Sequence, residues 1–196
     1  MAILRVSDST SIVRLSFKIA ELPAYLQKGL DLDESTPEVE RAGRELVSSA
    51  FPENLTADFV RMVCYWGGYA GIAGKVLKHN TKAFVAATMR RAFDLTQQGD
   101  LKAALDAMLC LNGLAVSFAS KHLKFLDPNK HVVLDSIISE RLGYPRTTDG
   151  YGEFVADCAS ILAAVQSAKI TRPDGHPFRI ADIEMAIFQV LRSQQQ

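Results

Sequence analysis

Residues 103–140 place two amphipathic helical patterns on either side of a dipeptide that breaks helices. The dipeptide is Asn112-Gly113, which tolerates a positive φ and therefore ends a helix. Apolar residues recur at three- and four-residue spacing on both sides of it, at Leu105, Met108, Leu109, Leu111, Leu114, Phe118, Leu123, Phe125 and Leu126. These patterns predict two helices, over residues 101–111 and 116–126, joined by a tight turn.

A third helix is predicted to begin shortly after the second. Asp127 precedes Pro128, and the residue before a proline is driven out of the helical region, so the second helix should end there. After a short apolar run at residues 131–134, Asp135 occupies the position of an N-cap, where a carboxylate accepts a hydrogen bond from a backbone N–H. Such a cap stabilises a helix by about 1 kcal/mol, so capping alone would explain this aspartate.

This arrangement resembles the helix-hairpin-helix DNA glycosylases, whose hairpin reads Leu-Pro-Gly-Val-Gly and precedes a Val-Asp that carries the catalytic aspartate. Residues 111–115, which read Leu-Asn-Gly-Leu-Ala, match the hairpin, and Leu134-Asp135 matches the Val-Asp. Shorter motifs spread over residues 60–190 resemble a bacterial branch related to 8-oxoguanine DNA glycosylases. These motifs are Trp66–Gly68, Ala119–Lys121, Phe125–Pro128, Leu134–Ser136 and Arg179–Glu184.

The chain also departs from the family pattern at three hairpin positions. Asn112 stands in place of the proline, Ala115 in place of the second glycine, and Ser117 in place of the lysine found in some members. The first two replacements are compatible with a turn. The third removes the amine with which bifunctional members form a Schiff base, so the resemblance implies a monofunctional enzyme that releases a base without cutting the strand.

Asp135 is the residue to which the resemblance assigns catalysis. Rupture of an N-glycosidic bond develops oxocarbenium charge on the sugar, and a nearby carboxylate stabilises that charge and can orient or deprotonate the attacking water. Lys121 lies one helical turn after Ser117 and is a second catalytic candidate, as a Schiff-base nucleophile. A phosphate contact or an ordinary surface position is the alternative for this lysine.

The remaining candidates would bind DNA without reading its sequence. Backbone N–H groups around the hairpin glycine and at the N-terminus of the following helix can receive a phosphate. The predicted DNA-binding residues are Asn112, Gly113, Ala115, Ser117, His122, Lys124 and Lys130. Trp66 and Tyr69 are weaker candidates for stacking on a base extruded from the duplex, because aromatic residues beside glycines more often belong to a core.

The charge distribution agrees with a DNA-binding middle segment, although the formal net charge of the chain is zero. Residues 61–131 contain 10 Lys/Arg and 4 Asp/Glu, an excess of six positive charges. The segments on either side are acidic, so the positive excess falls where the resemblance places DNA. An alternative is that this excess only solvates helical surfaces.

Outside this segment the sequence sets broader limits. Alternating apolar and polar residues at 3–6 and 13–19 predict a small N-terminal β-hairpin. No run of about 18 apolar residues indicates a membrane span, and no secretory signal is evident. Cys64, Cys110 and Cys158 are odd in number and widely spaced, which predicts three buried thiols in a reducing cytoplasm and no metal site.

The sequence therefore predicts a mainly α protein with a helix-hairpin-helix DNA glycosylase-like fold, formed by residues 1–196 as one helical domain or as two lobes. The expected function is monofunctional release of a modified purine from double-stranded DNA, with no cofactor and no membrane association. The alternative is a catalytically inactive helix-hairpin-helix module that binds nucleic acid or a protein partner, with Asp135 acting only as a cap.

Overall fold

The computed structural model describes residues 2–5 and 14–193, which are mainly helical. Two strands, β1 (Ala2–Arg5) and β2 (Arg14–Phe17), pair antiparallel with Ala2 opposite Phe17. Part of the predicted β-hairpin, including its turn, lies outside the described residues. The helices are α1 (Leu22–Leu32), α2 (Thr36–Ser48), α3 (Glu53–Trp66), α4 (Gly71–His79), α5 (Lys82–Gln97), α6 (Leu101–Leu109), α7 (Val116–Leu126), α8 (Ser136–Leu142), α9 (Thr148–Ser167) and α10 (Ile180–Ser193).

The chain divides into two compact units. Unit 1 consists of residues 1–34 and 134–196, and unit 2 consists of residues 35–133. The candidate hairpin, α6 and α7 belong to unit 2, whereas Asp135 belongs to unit 1. None of the helices in the described ranges is long and apolar enough to cross a membrane.

Unit 2 is built by close packing of α2, α3 and α7 and of α5 against α3 and α6. Its core contains large, fully buried side chains from these helices, including Leu46, Phe59, Met89, Leu105, Met108 and Phe125. At Gly43, α2 approaches α7 so closely that a Cβ would overlap the carbonyl oxygen of Phe125. The glycine is therefore required by the distance between the two helix backbones and not by its own conformation.

Unit 1 packs α1 and α9 against α10. The buried carboxylate of Asp182 accepts hydrogen bonds from Arg179, whose Nη2 lies 2.8 Å away, and from Arg172 at 3.2 Å. The polar, turn-rich sequence of residues 144–152 predicts a loop, but α9 begins at Thr148. The prediction was wrong because Thr147 caps the helix by accepting a hydrogen bond from the N–H of Gly150 at 3.1 Å.

The three cysteines differ in exposure. Cys64 and Cys158 are buried, and burial raises the pKa of Cys64 to about 11 and that of Cys158 well above its ordinary value. Cys110 is exposed, so the prediction of three buried thiols was wrong for this residue. It directly follows the last residue of α6 and begins the turn that leads to α7. No group of three His, Cys, Asp or Glu side chains within the described residues could hold a metal ion.

Two buried histidines make unit 2 sensitive to acid. Burial lowers the pKa of His122 to about 4 and that of His131 to about 3, from an ordinary value of 6.5. The folded state thus disfavours the protonated rings, and its stability is complete above pH 6.5 and decreases as the pH falls toward 4. We expect the free energy of unfolding to decrease by about 1.4 kcal/mol per pH unit for each histidine.

Urea titrations between pH 7 and pH 5 test this expectation above the range in which exposed carboxylates titrate. The fluorescence of Trp66, the single tryptophan of the chain, reports on unit 2. The matched variant is His131→Gln, which can keep a hydrogen bond to Thr96, whose Oγ1 lies 2.8 Å from the His131 Nε2. It should lose about half of the pH dependence. An unfolding free energy that stays constant over this range would show that these histidines titrate freely in the fold.

Candidate functional site

The predicted hairpin is present in unit 2 as two helices joined by the turn residues 110–115. The second helix, α7, has the predicted bounds, while α6 ends at Leu109, two residues before the predicted end. Gly113 has a φ of +100°, in the left-handed region that favours glycine. A Cβ on Gly113 would also lie 3.3 Å from the Cβ of Lys75 and from the backbone nitrogen of Val76. The turn therefore lies directly against α4.

The side chain of Asn80 fixes this turn in place. Its Oδ1 accepts a hydrogen bond from the N–H of Asn112 at 3.2 Å, and its Nδ2 donates to the carbonyl of Asn112 at 3.0 Å. The same Nδ2 donates to the carbonyl of Val76 at 2.8 Å, which ties the turn to α4. Asn80 is buried, and its bond to Val76 is buried with it, while its two bonds to Asn112 are partly buried. The N–H of Asn112, which was predicted to contact DNA, is thus already hydrogen-bonded within unit 2.

The N-terminus of α7 offers unpaired backbone donors. Its N-cap, Ala115, provides no side-chain acceptor, and the first turn contains no acidic residue. Among the described residues, the N–H groups of Gly113, Val116 and Ser117 have no hydrogen-bond partner. Unpaired N–H groups and the positive end of the helix dipole together favour an anion. Three of the predicted DNA-binding residues, Gly113, Ala115 and Ser117, therefore lie at one potential phosphate site.

The three lysines predicted as catalytic or DNA-binding residues each make a contact within unit 2. Lys121 is buried with its ammonium 4.4 Å from the centre of the Phe118 ring. Lys124 is buried to 2% exposure with its ammonium 4.8 Å from the Trp66 ring. Lys130 donates from Nζ to the carbonyl of Thr96 at 3.0 Å. Lys121 and Lys124 thus present little charge to solvent, because cation–π contacts and packing bury both side chains.

His122 also lies inside unit 2 and not on a surface. It is fully buried, its Nδ1 lies 2.6 Å from the carbonyl oxygen of Phe118, and its ring packs edge-on against Phe59. The prediction of a backbone contact by His122 was therefore wrong. The helical position that it occupies faces the core of the unit.

The two aromatic candidates have different environments. Trp66 is half-buried, donates from Nε1 to the hydroxyl of Thr36 at 2.9 Å and packs edge-on against Phe125 at 4.7 Å. These contacts make Trp66 part of the packing between α3, α2 and α7. Tyr69 is 69% exposed, and its ring is nearly perpendicular to that of Phe118, with the ring centres 6.2 Å apart. Of the pair, Tyr69 has the surface that stacking on a base would need.

Asp135 begins α8 and caps it. Its Oδ1 accepts a hydrogen bond from the N–H of Ile138 at 3.0 Å, which confirms the predicted capping interaction. The residue is only half-buried, and its Oδ2 has no hydrogen-bond partner among the described residues. One oxygen is thus used for the helix, and the other remains able to accept a bond from a water or a cationic group. Its catalytic role stays a prediction.

No family model, curated protein or solved structure matches this chain. Function must therefore be argued from the geometry of the hairpin, the charges around it and the environment of Asp135.

The structure shows that a basic segment within residues 61–131 has its cations exposed. Residues 61–93 contain six Lys/Arg and no Asp/Glu. All six cations are exposed, namely Arg61, Lys75, Lys78, Lys82, Arg90 and Arg91. Lys75 is the member beside the hairpin turn, and its ammonium has no ion-pair partner among the described residues. The absence of acidic residues over this segment was the sequence signal that could have identified it.

Proposed function

We propose that the protein binds double-stranded DNA through its hairpin and hydrolyses the N-glycosidic bond of a modified purine without cutting the strand. The observation that carries the proposal is the cluster of unpaired N–H groups at Gly113, Val116 and Ser117 next to Lys75, an exposed residue whose Cβ would lie 3.3 Å from a Cβ on Gly113. A backbone phosphate would satisfy these donors and the charge of Lys75 together. Such contacts position a duplex without selecting a sequence, which suits an enzyme that must scan for a rare base.

The proposed reaction assigns the chemistry to Asp135. The carbon–nitrogen bond of the extruded nucleotide breaks, charge develops on the sugar, and the carboxylate stabilises it while a water attacks the anomeric carbon. The water supplies the hydroxyl of the abasic sugar, and its remaining proton goes to the departing base or to solvent. The unpaired Oδ2 of Asp135 is the atom proposed to face this charge.

Two features support a monofunctional reaction. Ser117, at the position of the family's lysine, has a hydroxyl and no amine with which to form a Schiff base. Lys121 is buried with its ammonium over Phe118, so that nucleophilic attack would first require its release from this contact. Covalent trapping of a DNA complex through Lys121 by borohydride would overturn the monofunctional assignment while keeping the enzyme.

A non-catalytic helix-hairpin-helix module is the second candidate. The capping bond from Ile138 to Asp135 favours it, because that bond already explains the presence of the aspartate. In this case the hairpin would still bind phosphate, and DNA would be bound without any base being released. Release of a base from modified duplexes, measured as alkali-sensitive sites, separates the two candidates.

Charge reversal at Lys75 tests the binding half of the proposal. Lys75→Glu should weaken the binding of any duplex. It should also reduce the slope of log affinity against log salt concentration by about one, because binding then releases about one counterion fewer from the DNA. Fluorescence anisotropy of a labelled duplex over a series of salt concentrations measures both effects. The side chain is exposed, so the variant should fold normally.

Lys28→Glu is the matched control, because Lys28 is also exposed but lies in unit 1, outside the basic segment. It makes the same change in net charge and should leave duplex affinity nearly unchanged. Equal losses in the two variants would mean that only the overall charge matters, and would remove the support that Lys75 gives to a hairpin phosphate site.

A further inference from the structure

An open groove on unit 2 is lined by residues of α3 and α4 and by no residue of the hairpin turn. It has a volume of about 590 Å³ and an apolar floor formed by Met62, Ala73 and Leu77. Tyr65 forms one wall and is 76% exposed, although a tyrosine of a folded chain usually buries most of its ring. We call this surface, with Arg61 and Gly74, the α3/α4 groove.

Gly74 is a residue that the fold itself does not require. It lies in the middle of α4 with a helical φ, and a Cβ placed there would meet no atom within 4 Å. A glycine inside a helix is less stable than an alanine, so neither backbone conformation nor packing explains it. Its effect is to keep the groove open where a side chain would fill it.

The charges around the groove favour an anionic occupant. Arg61 lines it, and Lys78 follows Gly74 by one helical turn, which places both on the same side of α4. The acid nearest in sequence, Asp58, pairs with Arg61 at 2.6 Å. Both partners are more than half exposed, so this ion pair is weak, and a phosphate can replace the carboxylate.

We propose that the α3/α4 groove binds an unpaired stretch of DNA, with a base stacked on Tyr65 and the neighbouring phosphates against Arg61 and Lys78. An exposed aromatic ring within a cationic groove is the arrangement by which proteins bind single strands without reading sequence. The apolar floor accepts the face of a base, and the absence of a side chain at Gly74 leaves room for it. This inference goes beyond base release and does not depend on Asp135.

Anisotropy of a labelled oligothymidylate of roughly ten nucleotides tests the proposal, because single-strand sites span about 4–16 nucleotides. Tyr65→Ala should weaken binding about tenfold, whereas Tyr65→Phe, which keeps the ring, should bind like the wild type. An oligomer of the same length that has phosphates but no bases should bind the wild type more weakly than oligothymidylate and should not distinguish the three proteins.

Gly74→Leu and Gly71→Leu form a matched pair within α4. Both positions have open space for a side chain, but only Gly74 lines the groove. Gly74→Leu should raise the thermal midpoint, since leucine favours a helix, and yet reduce oligothymidylate binding about tenfold. Gly71→Leu should leave binding unchanged.

Equal oligothymidylate binding by the wild type and folded Gly74→Leu would overturn the proposal, as would equal wild-type binding of the oligomers with and without bases. A wild type that binds oligothymidylate in the predicted manner but releases no base would contradict the glycosylase proposal alone. A wild type that releases a base but does not bind oligothymidylate would contradict this inference alone.

Discussion

Replacement of Asp135 by asparagine is expected to reduce the release of a modified base by about a hundredfold to a thousandfold or more. Asparagine has nearly the same shape but no negative charge, so it cannot stabilise the cationic sugar of the transition state. The rate is measured under single-turnover conditions from a duplex with one modified purine, and abasic sites are counted after alkali. Single-turnover conditions separate the chemical step from product release.

The same variant should fold as well as the wild type. Asparagine is as good an N-cap as aspartate, so the bond from the N–H of Ile138 can be kept. Asp135→Ala is the useful companion, because it removes both the charge and the cap and should also lower stability by about 1 kcal/mol. Equal rates of base release by the wild type and Asp135→Asn, with equal thermal midpoints, would leave Asp135 with a structural role only.

Gly43→Ala is expected to destabilise unit 2 strongly, by about 3 kcal/mol. The new Cβ would overlap the carbonyl oxygen of Phe125, and two backbones cannot separate without opening the packing of α2 against α7. The better helix propensity of alanine, about 1 kcal/mol, opposes this loss but is smaller. Urea unfolding followed by the fluorescence of Trp66 measures the net change.

Gly74→Ala is the control for this prediction, because it makes the same substitution in a helix of the same unit. With open space around its Cβ, it should be more stable than the wild type by about 0.5–1 kcal/mol. A Gly43→Ala variant as stable as Gly74→Ala would show that α2 and α7 do not approach each other as closely as described.

The sequence predicted the elements whose signals are local. The bounds of α7 followed from its apolar periodicity and from the Asp127-Pro128 pair that ends it. The cap at Asp135 followed from the position of a carboxylate before a helix. The predicted end of α6 was two residues too late. Leu111 continues the apolar pattern of the helix, but it lies in the turn after the helix has ended, and its side chain is buried there.

Much of the environment of the candidate site depended on contacts between residues far apart in the sequence. Lysines normally lie at the surface, but the rings of Phe118 and Trp66 hold the ammonium groups of Lys121 and Lys124. Asn80 bonds to a residue 32 positions further along the chain, and no local pattern distinguishes such an asparagine from a helix cap. The contacts of Lys124 with Trp66 and of Asn80 with Asn112 are tertiary, so helical periodicity alone could not have predicted them. Lys121 and Phe118 lie one helical turn apart in α7, so their contact is local.

The most direct test of the central claim is base release by the wild-type protein from a panel of duplexes, each with one modified purine. Labelled strands are separated with and without alkali. We expect all strands to stay intact without alkali. After alkali treatment, at least one modified duplex should be cut at the modified position. Borohydride should trap no covalent complex. Strands that remain intact after alkali throughout the panel, with protein that binds the same duplexes, would contradict the claim of catalysis.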